Sequence, residues 1–149
     1  MADKPQPDEI RNSTIILFPS RYGFLTYTRI CMSMMVFIST IWHARALYLY
    51  EFCHWDFVAI GAVVANIHLD YFQPIQFFDK LEGYVRCIRI GTTSFTLEQV
   101  LMGIKKSGGQ AVFAKAAVTM VTIDMKTMTP SPLPDEYAAK IRRHDGLIA

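Results

Sequence analysis

Glu51 is the only acid in the helical stretch that ends at Phe52, and Asp56 comes shortly after it in the run CHWD. A carboxylate in either place is able to take a proton from water, which makes general-base chemistry available. The plain alternative is a solvated acid at a helix end. Arg45 falls on an apolar stripe, where a guanidinium is costly unless it is paired. It steadies developing negative charge, or forms a structural ion pair with Glu51, Asp56 or a partner chain, or reaches its head out to water. His43 lies two helical turns before Glu51 on a similar face, and His54 comes just after the helix. His43, His54, His68 and His144 are scattered, with no HxxxH, so no metal site is read. Cys31, Cys53 and Cys87 stand alone with no CxxC pair, which fits a reducing compartment and argues against a zinc or disulfide framework. The chain has no GxSxG elbow, no P-loop and no GxGxxG, so those enzyme classes lose their main sequence support.

The frame that must hold these residues is small. The chain has 149 residues, 52% hydrophobic and 19% charged, with a formal net charge of +2. One domain over 1–149 is expected, with 1–13 as a loose arm. There is apolar material for a core and too little charge for disorder. A polyanion binder would need a concentrated basic face, so no nucleic-acid partner is expected. The apolar run Ile30–Trp42 is 13 residues long and broken by Ser33, Ser39 and Thr40. A spanning helix needs about 20 residues, so a buried helix and no membrane span is the reading. The N-terminal MADKPQPDEIRNS has no apolar segment of a signal peptide, and a cytoplasmic location is expected.

Hydrophobic spacing supplies the elements. Thr14–Phe18 reads as a strand stopped by Pro19. Met34, Ile38, Ile41, Arg45, Tyr48 and Phe52 recur at steps of three and four, which predicts one helix over Met34–Phe52. Leu47 and Tyr50 make its other side apolar too, so it should be wrapped by other structure. Over residues 63–72 the period is two: Val63, Ala65, Ile67, Leu69 and Tyr71 on one face, Val64, Asn66, His68, Asp70 and Phe72 on the other. Leu81–Ile90, Thr93–Met102 and Ala111–Met125 read as further strands. Val112, Ala114, Ala116, Val118 and Met120 share one face of the last, and KKSGGQ over 105–110 is a hairpin turn. At about 3.3 Å per residue the last strand must twist strongly or bulge. A short helix over Glu136–Arg143 comes after the Pro-rich TPSPLPDE. The fold class is α+β, an antiparallel sheet of five or more strands around a long central helix.

Four stretches carry a family likeness: HARALYLYEF (43–52), NIHLDYFQPIQFFDKLEGYVRCIRIGTTSFTLEQVLM (66–102), GQAVFAKAAVTMVTID (109–124) and TMTPSPLPDEY (127–137). In that order and spacing they resemble the hotdog-fold thioesterases of the 4-hydroxybenzoyl-CoA thioesterase type. The resemblance implies a hotdog fold and a homodimer joined sheet edge to sheet edge, often paired again into a homotetramer. It also implies hydrolysis of acyl-CoA or acyl carrier protein thioesters. The acyl chain would run along the central helix and the pantetheine would enter between subunits. Coenzyme A or phosphopantetheine is then part of the substrate, and no cofactor is expected. Arg21-Tyr22 matches the usual start of the motif. Many members carry an Asp after the first strand, then Gly-His and Asn, but SRYGFLTYTRICMSMM (20–35) contains none of Asp, Glu, His or Asn.

In that light each candidate takes a role. Glu51 is the leading substitute base, since some relatives use a helix carboxylate from the facing subunit, and Asp56 is the second. Arg45 orients the thioester carbonyl or steadies charge, and amides near Ser33–Val36 would hold the oxyanion. Met34, Met35, Ile38 and Trp42 suit an aliphatic or aromatic tail, with His43 beside the groove and Ser94, in GTTS, on pantetheine or a neighbouring chain. Lys105, Lys106, Lys115, Lys140, Arg142 and Arg143 either meet CoA phosphates or are ordinary solvated surface. The alternative is a non-catalytic hotdog protein that binds an acyl group or a partner. The His and Asp signature of a dehydratase of this fold is absent.

Overall fold

Residues 14–17, 42–76 and 79–147 are described by the computed structural model. In chain order they form β1 (Thr14–Leu17), α1 (42–52), β2 (Ile60–Tyr71), β3 (Lys80–Ile90), β4 (Ser94–Ile104), β5 (Gln110–Asp124), β6 (Thr129–Pro130) and α2 (Asp135–Asp145). The strands make one antiparallel sheet in the order β1-β3-β4-β5-β2, with β6 added to the end of β5. The α+β architecture expected from the helical stripe and the period-two runs is the one observed. The part of the expected helix before residue 42 lies outside the described residues.

One pairing differs from the simple succession of neighbours. β2 and β3 are consecutive in the chain, yet β2 pairs with β5 at the far edge of the sheet. The segment after Tyr71 turns across the sheet end instead of back along it. Phe72 and Gln73 both donate their backbone N–H groups to the Phe113 carbonyl, at 2.9 and 3.3 Å. The Gln73 side-chain amide adds a bond to the Val112 carbonyl at 3.2 Å.

Two bulges correct the face assignments. In β2 the register slips between Val64 and Asn66, leaving Ala65 unpaired, so Val64 faces Met120 while Ile67 faces Val118. Directly opposed residues share a face, so Val64, Ile67 and Leu69 point to the core side, whereas Val63, Asn66, His68 and Asp70 point outward. In β5 the slip at Phe113, between the pairs Leu101–Ala114 and Met102–Val112, moves Val112 to the face opposite Ala114. A bulge places two residues against one, and strict alternation fails there. Val112 joins Val100 and Met102 in a small outer cluster beside Phe72 and Tyr84. The bulges are also how the long β5 bends.

The main core lies between the sheet, α1 and α2. Ala44, Tyr48 and Leu49 pack with Val85, Cys87, Phe95, Leu97, Leu101, Phe113, Ala114, Ala116 and Val118. Over the described part of α1 the helix is not covered all round within one chain: Trp42, Tyr50, Glu51 and Phe52 are exposed. A single sheet covers one side of a helix and leaves the other open. The predicted hairpin is present, with Gly108 and Gly109 at φ +89° and +88° in its turn, which only glycine adopts without strain.

Candidate active site

The last turn of α1, Tyr48–Phe52, is a π-helical turn. The wider i→i+5 spacing rotates the succeeding residues by most of one position. Arg45, Tyr48 and Leu49 face inward as the stripe predicted, but the next inward position passes from Phe52 to Cys53, which is buried while Phe52 is 40% exposed. Glu51 stands on the open side, opposite the apolar stripe. The chain leaves the helix through His54 at φ +51°, and the Trp55 N–H returns to the Leu49 carbonyl at 3.1 Å. Trp55 is buried and donates its indole N–H to the Ile60 carbonyl at 2.8 Å.

These residues form an open depression of about 420 Å³ lined by Tyr50, Glu51, His54 and Trp55. It joins a carboxylate, an imidazole and a phenol at the surface above the buried Trp55. Such a set is able to accept a proton, donate one and stack on a planar group. Of the residues singled out in the sequence, Glu51 and His54 line it. Tyr50 and Trp55 were not read as site residues, and His54 was given no site role; Trp55 and His54 both fall in the CHWD run that follows the helix.

Asp56 sits just outside, and its carboxylate is occupied. Oδ1 accepts the backbone N–H groups of Val58 at 2.9 Å and Ala59 at 3.3 Å, closing the turn that leads into β2. Arg45 is one of the few buried charged residues, and burial alone pushes its pKa below the ordinary guanidinium value. Among the described contacts neither Glu51 nor Asp56 pairs with it. Trp42 and His43 are both exposed and in edge contact, ring centroids 6.0 Å apart, at the other end of the described part of α1. Ser94 opens β4, where its carbonyl accepts the Gly91 N–H at 2.7 Å. Met34, Met35, Ile38 and the amides near Ser33–Val36 lie outside the described residues. Of the basic residues, Lys115 is tied to Glu98 and Lys140 to Glu136. Among the described residues no three His, Cys, Asp or Glu side chains group to hold a metal ion, and no helix is long and apolar enough to cross a membrane.

Residues 24–141 match the family model of the thioesterase-like superfamily. The chain belongs to that family. Similar solved structures fit the same fold. A thioesterase from Thermus thermophilus, crystallised with coenzyme A and zinc, is 23% identical over 91% of this chain and 96% of its own, with a TM-score of 0.69. YbaW, a probable thioesterase from Escherichia coli, is 24% identical over 89% of this chain and 97% of its own, with a TM-score of 0.64. A thioesterase-superfamily protein from Jannaschia sp. CCS1 reaches a TM-score of 0.72 at 18% identity, over 96% of this chain and 98% of its own. No curated protein matches the chain. Membership makes acyl-thioester hydrolysis the general activity of this thioesterase-like protein.

Proposed function

We propose that this thioesterase-like protein hydrolyses an acyl thioester of coenzyme A or of an acyl carrier protein, as a homodimer, with Glu51 as the general base. The observation that carries this is the open depression at the end of α1, where Glu51 meets His54, Tyr50 and Trp55. Hydrolysis needs a group to take a proton from the attacking water and donors for the oxyanion that forms at the thioester carbon. Glu51 supplies the first at an exposed position, and it stands in for the loop Asp that 20–35 lacks. Arg45, earlier on α1, is the buried cation nearest in sequence. In this reading it orients the thioester or tunes the acid, while helix-start amides near Ser33–Val36 hold the oxyanion. Met34, Met35, Ile38, Trp42 and His43 would line the acyl groove along the helix, and Ser94 would meet pantetheine or the second chain.

General acid–base help is typically worth about 10²–10⁴-fold in rate. Glu51→Gln keeps size and hydrogen bonding while removing the base, so kcat should fall at least about 100-fold with KM nearly unchanged. Asp56→Asn, assayed in parallel, decides between the two carboxylates. A loss below about threefold for E51Q in an active, folded protein would remove Glu51 from the mechanism. Wild type inert on short, long and aromatic thioesters of CoA and of acyl carrier protein would favour the binding-protein alternative, which the acid-free 20–35 stretch also accommodates.

A further inference from the structure

The C-terminal helix grips the turn that carries Glu51 from both sides. Before Glu51, the Tyr48 hydroxyl donates to Asp145 Oδ2. That oxygen also accepts the Cys87 backbone N–H of β3 at 2.7 Å, and Asp145 Oδ1 lies 2.9 Å from His144 Nδ1. The Asp145 side chain is only 1% exposed. After Glu51, Lys140 Nζ donates to the Cys53 carbonyl at 3.2 Å. Tyr137 stacks on Trp55, ring centroids 4.4 Å apart at 19°, and its hydroxyl accepts the Asp56 backbone N–H at 3.1 Å. His144 packs edge-on against Phe52 at 4.6 Å.

Tyr137, Lys140, His144 and Asp145 fall close to steps of three and four, so one face of α2 makes all of these contacts. What they hold is otherwise costly. A π-helical turn is rare beside an α-turn and often marks a functional position. His54 has a backbone conformation that non-glycine residues seldom adopt. A carboxylate at the C-terminal end of α2 is opposed by that helix's own dipole, yet Asp145 is buried there with three polar partners. The energetic outlay converges on residues 48–56.

We infer that α2 is a positioning clamp: Asp145 and Tyr137 lock the π-helical turn and the His54 exit, and so fix the direction of the Glu51 carboxylate. This rests on the reading of Glu51 as the base. Asp145, Tyr137 and Tyr48 are positioning residues. None of them lines the depression, so their effect on the reaction must pass through the turn.

The test uses full-length Tyr137→Phe, which keeps the stack and loses the acceptor for Asp56, and Asp145→Asn, which keeps the size of the group. Amide hydrogen exchange over residues 48–56 should speed up about tenfold or more in both, with β4 still protected. Misplacement of a reacting group by about an ångström costs on the order of 100-fold, so kcat should fall roughly 10- to 100-fold with KM within about threefold. In an E51Q background the same substitutions should cost little further. Unchanged exchange over 48–56 in both variants overturns the clamp without any assay of activity. A kcat loss that persists in full on top of E51Q overturns positioning through Glu51, while E51Q alone still reports on the base. A wild-type protein inert on all thioesters overturns the catalytic role of the clamp together with the reading beneath it.

Discussion

Glu98 Oε2 lies 2.6 Å from Lys115 Nζ, diagonally across the β4–β5 pair on the outer face of the sheet. Its other oxygen takes the Arg86 Nε at 2.8 Å from β3. One carboxylate thus ties three strands together. Burial works to raise the pKa of Glu98, but the hydrogen bonds and charges of Lys115 and Arg86 outweigh it and hold the group below the usual Glu range. A carboxyl depressed in the folded state adds stability above its unfolded pKa, about 4.3, and loses it as pH falls through the folded value. Urea midpoints should therefore drop below about pH 4.5. Glu98→Gln should flatten that acid slope and cost about 1–3 kcal/mol at pH 7. Equal acid slopes in the two proteins would remove the triad from the account.

Gly103 is held by the closeness of two backbones. A Cβ there would stand 1.8 Å from the Lys80 carbonyl oxygen and 3.1 Å from the Leu81 Cα, both main-chain atoms. No rotamer change relieves such a clash. Gly103→Ala should cost about 1–3 kcal/mol, lowering Tm by several degrees in a calorimeter. Gly91→Ala is the comparison, since its nearest neighbour is the Ser94 hydroxyl at 3.2 Å. Equal shifts for both would contradict the register of β3 on β4 at this end.

Burial pushes the Cys53 thiol up to about 12, with Asp145 and Cys87 adding to it against Lys140. It also brings Cys87 to about 11. The thiolate is the reactive form, so at a pH of about 8 almost none is present on either residue. Iodoacetamide treatment and peptide mapping should leave both unmodified in the folded protein and modify both in urea. Rapid native labelling of Cys53 would show that α2 lifts from the end of α1.

The elements themselves were legible, though not the pairing of β2 with β5, because each rests on a pattern of several residues. The helical stripe through Arg45 and Tyr48, the period-two runs and the two-glycine turn each predict an element that is present. What could not be read was each place where one residue is out of phase. Ala65 and Phe113 break alternation, and a hydrophobic pattern has no mark for a bulge because the residue types on either side stay apolar. The π-turn at Tyr48–Phe52 has the same character: YLYEF reads equally well as α-helix, so Phe52 was placed inward and Cys53 was not. Glu51 was singled out by counting acids in the helix. The hold of Asp145 on Tyr48 was not, since it joins residues 97 positions apart, and neither end shows a motif.

The last prediction concerns the open edge. Val64 and Ile67 lie on the core side of β2, opposite Met120 and Val118, which are buried. They are nonetheless 41% and 53% exposed. A long edge strand with uncovered apolar side chains is a surface that proteins cover or pair. A second copy, adding its own β2 alongside, would pair the free backbone groups and bring its helix over Val64 and Ile67. It would also face the exposed side of α1, where Trp42, Tyr50 and Glu51 stand. Sedimentation equilibrium at micromolar concentration should then give twice 17.0 kDa or a multiple of it. Ile67→Lys should weaken the dimer at least about 30-fold in Kd, equivalent to about 2 kcal/mol. Far-UV circular dichroism should stay native, because the side chain is exposed within one chain. If the site lies between subunits, thioesterase turnover should fall with the dimer fraction as the variant is diluted. A variant still dimeric at the same concentration would move the interface away from β2, and a wild-type monomer would leave Glu51 to act within one chain.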